Sequence, residues 1–320
     1  MPTTLALQRD ALLEKLHQLR ANIESVFIGK SEAVSQILIG LLARGHVLIE
    51  DVPGVGKTVL ARAMARSIDC RFSRIQLTPD LLPSDILGIS IYNEQTGMFD
   101  YKPGPIFAHV VLADEINRTT PRTQSALLEV MNETQVTVDG KTVPLEQPFM
   151  VIATQNPFEF EGTYFLPENQ LDRFILRIAI GYPSREDERL ILRQQPDRAP
   201  LEALRPVMKA EDIVKLQLLA DQVRVDDCLL DYMQDLVDGT RTHDSFEVGV
   251  SPRGALSLMR AARASAMLTG RDYAIPDDFK QLATPVFAHR VVSKSYLRDG
   301  QMGSNDQVLL EILDRTPVPA

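Results

Sequence analysis

The chain has 320 residues, of which 44% are hydrophobic and 24% are charged, as is usual for a soluble globular protein. This composition excludes a disordered, collagen-like or coiled-coil chain, and the length allows one large or two modest domains. The net charge of −9 argues against a dominant nucleic-acid-binding surface, and two cysteines are too few for a disulfide framework or a cysteine-rich metal site.

The sequence shows no candidate membrane span or signal peptide. The best apolar run, residues 37–42, is far shorter than the roughly 18 residues that a spanning helix needs. Five charged side chains lie among the first twenty residues, where a signal peptide would have an apolar stretch. We therefore expect a cytoplasmic protein.

Short apolar runs alternate with helical patterns between about residues 46 and 180. The runs are nearly continuous in Val, Ile, Leu and Phe, and they cover residues 46–51, 71–77, 109–115, 149–156 and 174–180. Strands that are buried on both faces of a parallel sheet have this pattern. With helices predicted at 57–68 and 121–132, the pattern predicts an α/β domain around a parallel sheet.

From about residue 184 the alternation gives way to amphipathic helical patterns. They cover residues 184–195, 210–223, 227–241, 252–268 and 275–290. Gly, Pro and Ser cluster at 181–186, which is typical of a boundary. The sequence thus predicts two domains, residues 1–183 with an N-terminal helix and the α/β core, and residues 184–320, which are all helical.

Two segments of the first domain fit neither strand nor helix of the α/β alternation. Residues 88–105 predict a hairpin that turns at 94–97, and residues 134–148 predict a second hairpin that turns at Asp139 and Gly140. Insertions of this kind are often functional surfaces.

Residues 54–58 read GVGKT and lie between a predicted strand and a predicted helix, which is the context of a phosphate-binding loop. Backbone N–H groups of such a loop surround an anion, while Lys57 would contact the β- and γ-phosphates and Thr58 would offer its hydroxyl to Mg²⁺. Asp51 stands where the full pattern has its first glycine, so Pro53 and Gly54 would supply the turn.

Polar groups also follow two other predicted strands. Residues 110–115 read VVLADE, in which Asp114 could hold Mg²⁺ through water and Glu115 could polarise the attacking water. Asn156 ends a further strand, where its amide could orient that water. Alone, these could be ordinary loop residues, but a phosphate-binding loop upstream favours the catalytic interpretation.

Two arginines leave a choice open. Arg173 could be a structural partner of Asp172 or Glu168, or a finger that is donated to the γ-phosphate of a neighbouring subunit. Arg253 poses the same choice between a structural and a functional role. It lies at a predicted helix N-terminus, which is the unfavourable end of the dipole for a cation, and this mild cost favours a functional role. The NKxD signature of guanine-specific GTPases is absent, which favours an adenine nucleotide. His46 and His109 open predicted strands and are interpreted as structural.

The ordered segments resemble the MoxR-type AAA+ ATPases over about residues 20–310. The resemblance rests on IEDVPGVGKT, HVVLADEINRTTPRTQSALLEVM, FMVIATQNPFEFEGTYFLPENQLDRF and SPRGALSLMRAARA. It implies an AAA+ P-loop core with a parallel sheet flanked by helices, followed by a helical lid. The implied reaction is hydrolysis of ATP to ADP and phosphate with Mg²⁺.

The resemblance also implies a role for each candidate residue. The nucleotide would be bound by Pro53, Gly54, Val55, Gly56, Lys57, Thr58 and Val59, and near its adenine by residues 26–30, which include Gly29. The remaining roles are the metal ligands Thr58 and Asp114, the Walker B glutamate Glu115, sensor 1 at Asn156, the trans arginine finger Arg173 and sensor 2 at Arg253. Sensor 2 is expected to contact the γ-phosphate from the lid of the same chain.

Members of this family resemble chaperones that remodel protein partners. The resemblance implies a homo-oligomeric ring, expected to be a hexamer with both hairpins directed to its pore. It also implies von Willebrand factor A-domain partners and a role in inserting metals or cofactors.

Two alternatives stay open. A nucleic-acid motor should carry basic hairpin tips, and only the tip at 138–141 is partly basic. A nucleotide-gated adaptor with little turnover would not need Glu115 and Arg173.

Overall fold

The computed structural model describes residues 4–157, 162–194, 199–294 and 305–319. Its centre is a five-stranded sheet built of β1 (His46–Glu50), β2 (Phe72–Gln76), β5 (Val110–Asp114), β8 (Met150–Gln155) and β9 (Phe174–Ile178). The strand order is β2-β5-β8-β1-β9, and every neighbouring pair is parallel. The predicted parallel α/β core is confirmed.

Helices cover both faces of this sheet. They do so because successive side chains of a strand point to opposite faces, and apolar side chains on both faces must be buried. They are α1 (Thr4–Glu24), α2 (Ser31–Leu42), α3 (Lys57–Ser67), α4 (Pro83–Leu87), α5 (Pro121–Glu133) and α6 (Glu168–Leu171), with a 3₁₀ turn at Ile116–Arg118. Val47 and Ile49 belong to the cluster that contains α2 and α3, whereas Leu48 belongs to the cluster that contains α5.

Both predicted hairpins are present. One consists of β3 (Gly88–Asn93) and β4 (Met98–Pro103), and the other of β6 (Gln135–Val138) and β7 (Lys141–Pro144). At the base of the first hairpin, Gly88 has a φ of +109°, and a Cβ there would lie 2.3 Å from the carbonyl oxygen of Lys102. Only glycine allows the hairpin to leave α4 in this way.

The second half of the chain is mainly helical. It comprises α7 (Arg185–Gln194), α8 (Ala199–Ala203), α9 (Ala210–Asp221), α10 (Asp227–Thr242), α11 (Pro252–Leu268), α12 (Pro276–Phe287) and α13 (Asn305–Arg315). The predicted boundary at 183/184 falls between β9 and α7. One difference from the predicted all-helical domain is a small antiparallel sheet of β10 (Phe246–Val248) and β11 (Val292–Ser293). Strands of two or three residues are too short to give a detectable alternation.

The helical region packs directly on the α/β core. Helix α11 contacts both α2 and α12, and one hydrophobic cluster runs from α1 and β1 into α9, α11 and α12. Helix α1 adds an ion pair, in which the Nζ of Lys15 lies 2.8 Å from the Oδ2 of Asp212 in α9. The two predicted domains therefore share a core.

The described residues lack two features that would point to other functions. None of their helices combines the length and the apolar composition that crossing a bilayer requires. They also contain no group of three or more His, Cys, Asp or Glu side chains that could hold a metal ion. Cys70 and Cys228 are both free thiols.

Candidate active site

The loop between β1 and α3 has the backbone of a phosphate-binding loop. Gly54 and Gly56 have φ values of +90° and +94°, and Gly56 is the N-cap of α3. A Cβ at Gly56 would lie 3.0 Å from the ring of Phe27. The first turn of α3 carries no acidic side chain, so no carboxylate of the helix itself offsets the positive end of its dipole. This terminus is therefore suited to an anion.

Lys57 opens α3 and lies half-buried at the carboxyl edge of the sheet. Its Nζ donates a hydrogen bond to the carbonyl oxygen of Asp51 at 2.5 Å. Burial lowers the pKa of its ammonium, and four nearby carboxylates act in the opposite direction: Asp51, Asp114, Glu115 and Glu50. The structure thus brings the predicted lysine and the predicted acids together.

Asp114 ends β5 and is held by both neighbouring strands. Its Oδ1 accepts a hydrogen bond from the hydroxyl of Thr154 at 2.6 Å, and its Oδ2 accepts one from the Nη2 of Arg74 at 2.6 Å. Thr154 lies on β8 and Arg74 on β2. Arg74 was not predicted from the sequence, although the alternation within RFSRIQL places it on the same face of β2 as Gln76.

Glu115 follows directly, and its backbone is left-handed with a φ of +60°. Its N–H donates to the hydroxyl of Thr154 at 2.9 Å. Its carboxylate accepts a hydrogen bond from Gln76 at 2.8 Å and pairs with Arg118 at 3.3 Å. Glu115 therefore has two side-chain partners, and neither was predicted from the sequence.

Asn156 follows β8, which lies between β1 and β5 in the sheet. The carboxyl ends of these three strands therefore bring Lys57, Glu115 and Asn156 to one edge, the usual ligand-binding edge of an open α/β sheet. The hydroxyl of Thr58 and the carboxylate of Asp114 are oxygen donors of the kind that Mg²⁺ prefers. The donor set fits the expected ion.

Gly29 lies where the P-loop side of the core meets the helical region. Its φ is +75°, and a Cβ there would lie 2.3 Å from the Cγ of Asp187 in α7. Next to it, the Nζ of Lys30 donates to the carbonyl oxygen of Tyr182 at 2.7 Å. With Phe27 beside Gly56, the segment 26–30 thus contacts both the P-loop and the start of the helical region.

Arg173 and Arg253 lie at the amino edge of the sheet, which is the edge where its parallel strands begin. Phe174, which follows Arg173, pairs with His46 at the start of β1, whereas the P-loop follows the end of β1. A five-residue strand spans roughly 16 Å. Arg173 donates to the carbonyl oxygen of Leu128 at 2.8 Å, and the Nη1 of Arg253 lies 3.6 Å from the Oδ2 of Asp172.

The structure therefore brings Arg253 to Asp172, the residue before Arg173, at the opposite end of the strands from Lys57. The expected contact of Arg253 with the γ-phosphate in its own chain does not fit this placement. The physical reason is the packing of α11, whose first turn lies beside the segment that leads into β9 because α11 is packed against α2 and α12.

Arg290, which was not predicted from the sequence, holds Asp172 and Phe174 in this arrangement. The side chain is buried. Its Nε donates to the Oδ1 of Asp172 at 2.7 Å and its Nη2 to the carbonyl oxygen of Phe174 at 2.6 Å, while its Nη1 bonds to the carbonyl oxygen of Val286. Since these bonds join α12 to both neighbours of Arg173, Arg290 holds the backbone that presents Arg173.

His46 is the first residue of β1, and its buried side chain lies at the opposite end of that strand from the P-loop. One ring nitrogen is 2.9 Å from the carbonyl oxygen of Met131, and the other accepts a hydrogen bond from the N–H of Val151 at 3.0 Å. Burial lowers the pKa of His46 to about 4. Its environment is that of a neutral structural side chain.

Comparisons with known proteins agree with this architecture. Residues 46–176 match the family model described as "ATPase family associated with various cellular activities (AAA)", and residues 238–312 match an AAA lid domain. Chaperone MoxR1 of Mycobacterium tuberculosis is 41% identical over 295 residues, which cover 88% of this chain and 78% of that protein. The chain belongs to the MoxR family of AAA+ ATPases. The uncharacterized protein YeaC of Bacillus subtilis is 53% identical over 286 residues, which cover 88% of this chain and 89% of YeaC.

The fold of this MoxR-type ATPase is also seen in a solved structure. The crystal structure of a proposed ATPase from Cytophaga hutchinsonii superposes with a TM-score of 0.89 at 35% identity, and covers 98% of this chain and 97% of its own. As in other MoxR-type ATPases, the parallel sheet and the lid form an AAA+ module that hydrolyses ATP.

Proposed function

We propose that this MoxR-type ATPase binds ATP·Mg²⁺ at Lys57 and hydrolyses it at a site that a neighbouring protomer of a hexameric ring completes. One observation carries the proposal. Lys57 and Glu115 lie at the carboxyl edge of the sheet, whereas Arg173 and Arg253 lie at its amino edge. These two sets lie at opposite ends of the strands within one chain, whereas a head-to-tail contact between two chains would bring opposite edges together. Repeated contacts of this kind form a ring when the rotation between neighbours closes.

The carboxyl edge would supply the chemistry. Thr58 and Asp114 would hold Mg²⁺, which neutralises charge that develops on the phosphate oxygens. Lys57 binds the β- and γ-phosphates, Glu115 accepts the proton of the attacking water, and Asn156 orients that water. Glu115 must first leave Gln76 on β2 and Arg118 in the 3₁₀ turn, so hydrolysis depends on a rearrangement of these side chains.

The amino edge would supply positive charge to the neighbouring site. Arg253 has 62% of its side chain exposed. Its ion pair with Asp172 at 3.6 Å is therefore a surface salt bridge, and such pairs stabilise a protein by about 0–1 kcal/mol. The phosphate of a neighbour can displace such a partner easily. Arg173 would act as the finger, a contribution of about 10³–10⁵ in rate for such arginines.

We further propose that the target is a protein. The β3–β4 hairpin exposes Tyr92, Met98 and Phe99, with the rings of Tyr92 and Phe99 in contact at 5.4 Å. Its turn at 94–97 contains Glu94 and no basic residue, so apolar protein surface is a better match than nucleic acid. The name of Chaperone MoxR1 is in keeping with this proposal. A von Willebrand factor A-domain adaptor and insertion of a metal or cofactor rest on the family resemblance.

The particle mass of the Glu115→Gln variant tests the shared site. This variant should bind ATP but hydrolyse it slowly, so ATP·Mg²⁺ should shift the mass to about six chains. The matched control is Lys57→Ala combined with Glu115→Gln, which should show no shift with ATP. A variant that stays monomeric with ATP·Mg²⁺ bound would contradict the ring.

A further inference from the structure

Asp51 occupies the first position of the phosphate-binding loop, where the general pattern has glycine, and its carboxylate binds three backbone N–H groups. Its Oδ1 accepts a hydrogen bond from Val52 at 2.8 Å. Its Oδ2 accepts hydrogen bonds from Ile180 and Gly181, at 2.7 and 2.6 Å. The side chain is buried, so water does not compete for these charge-assisted bonds, which are stronger than neutral ones.

Ile180 and Gly181 belong to the linker, defined here as residues 179–184, which connects β9 to α7. Gly181 adopts a φ of +68°. The following residue, Tyr182, is held through its carbonyl oxygen by the Nζ of Lys30 at 2.7 Å. The linker is thus fastened to the nucleotide side of the core at successive residues. Because it is the covalent path into the helical region, its backbone must follow any rotation of that region.

The same residue holds the P-loop lysine. The carbonyl oxygen of Asp51 accepts the hydrogen bond from the Nζ of Lys57 at 2.5 Å, and the N–H of Asp51 donates to Gln155 at 3.1 Å. A P-loop lysine binds the β- and γ-phosphates of a nucleotide, so ATP would compete with the Asp51 carbonyl for this ammonium. A movement at Lys57 then reaches the linker through one residue.

We propose that Asp51 is a positioning residue that couples ATP binding at Lys57 to the conformation of the linker, and through the linker to the helical region. This inference deepens the proposed function and rests on the ATP site proposed there. Asp51→Gly restores the general loop pattern. It leaves the phosphate-binding backbone in place and removes the contact with Ile180 and Gly181.

The test is hydrogen–deuterium exchange of residues 179–184 in the full chain, with and without ATP·Mg²⁺, together with steady-state kinetics. In the wild type, we expect slow amide exchange at Ile180 and Gly181. We also expect the rate of this exchange to change by about tenfold or more when ATP binds. In Asp51→Gly, we expect rapid exchange with or without ATP. We also expect an ATP Kd within about threefold of the wild-type value and a kcat that is lower by about tenfold.

Asp51→Asn keeps one acceptor oxygen and so retains only part of the contact. Its exchange and its kcat should lie between those of the wild type and Asp51→Gly. This variant carries the test if Asp51→Gly does not fold. The matched control is Glu50→Gln, because Glu50 ends β1 but bonds to Gln155 and Arg177 at 2.6 and 3.1 Å. In this control the response of residues 179–184 to ATP should be that of the wild type.

The failures of the two proposals are distinguishable. If Lys57→Ala binds ATP as tightly as the wild type, the proposed ATP site fails. If Lys57→Ala loses ATP binding but residues 179–184 of the wild type do not respond to ATP, the role of Asp51 is overturned. A wild-type kcat and a wild-type exchange response in either Asp51 variant would overturn it as well.

Discussion

The charged groups at the carboxyl edge of the sheet all have partners within the chain. Lys57 bonds to the Asp51 carbonyl, Asp114 to Arg74, and Glu115 to Gln76. ATP binding must therefore exchange existing hydrogen bonds. This exchange provides a physical reason why hydrolysis can depend on the state of neighbouring residues, since the Glu115 carboxylate is occupied by Gln76 and Arg118 until these bonds are released.

The burial of His46 makes the stability of the folded chain depend on pH in the acid range. The pKa of His46 is about 4 in the folded chain, whereas an unperturbed histidine has a pKa of 6.5. Between these pH values the unfolded chain therefore binds more protons than the folded chain. The stability that neutral His46 contributes is complete above pH 6.5 and is lost as the pH falls towards 4. Between pH 7 and 5, the wild type should lose about 2 kcal/mol more than His46→Gln, which does not titrate.

Chemical denaturation at both pH values measures this difference. His289 is also buried with a lowered pKa, but it is present in both proteins and its contribution cancels. Equal losses of unfolding free energy in the two proteins would contradict the assignment of His46 as a buried neutral side chain.

The sequence predicts the site residues that follow strands but not the residues that hold them. Lys57, Asp114 and Glu115 stand in local patterns, a glycine-rich turn and an apolar run that ends in acids. Arg74 and Arg290 act through partners that lie 40 and 118 positions away. A single sequence carries no signal for such pairs, because they depend on strand order and helix packing.

At the scale of elements, α12 and the segment before β9 are joined by Arg290. Replacing it with Gln removes the bonds to Asp172 and Phe174 and should leave Arg173 poorly held. Because the finger serves another protomer, we expect kcat to fall by about tenfold or more while the Kd for ATP stays near the wild-type value.

The matched control for Arg290→Gln is Arg271→Gln, because the partly buried Arg271 also pairs with a buried carboxylate, that of Asp278 at 2.7 Å, elsewhere in the helical region. That control should lose thermal stability without a comparable loss of kcat. Equal losses of ATP affinity and kcat in Arg290→Gln would show a general structural role and would contradict the positioning of Arg173.

The β3–β4 hairpin is the second element with a testable role. Tyr92→Ser combined with Phe99→Ser should retain basal ATP hydrolysis, since both rings are exposed on a hairpin that is separate from the five-stranded sheet. It should lose most of any stimulation by an unfolded protein, such as reduced and carboxymethylated lactalbumin. The control is Leu310→Ser, which also replaces an exposed apolar side chain with serine, but on α13. Unchanged stimulation in the hairpin variant would remove the hairpin from client binding.

The elements themselves were largely predictable, but their placement was not. The five strands of the parallel sheet and both hairpins follow from apolar runs and from turns such as Asp139–Gly140. The position of α11 beside the segment before β9 depends on its packing with α2, two elements more than 200 residues apart in the chain. That packing separates Arg253 from the P-loop of its own chain.

At the scale of the whole molecule, the proposed shared site makes one chain an incomplete enzyme. The shared core of the α/β and helical regions fixes Arg173 and Arg253 at the amino edge of the sheet, far from the phosphate-binding loop. Each ring interface would then combine the carboxyl edge of one protomer with the amino edge of the next.

Mixing two inactive variants tests this claim most directly. Lys57→Ala keeps the arginines and loses the P-loop lysine, whereas Arg173→Ala keeps the P-loop and loses the finger. Each variant alone should hydrolyse ATP at least about 10³-fold more slowly than the wild type. In rings formed from an equal mixture, about a quarter of the interfaces combine both intact parts, so about a quarter of the wild-type rate should return. A mixture that stays as inactive as its components, or full activity of Arg173→Ala alone, would contradict the shared site.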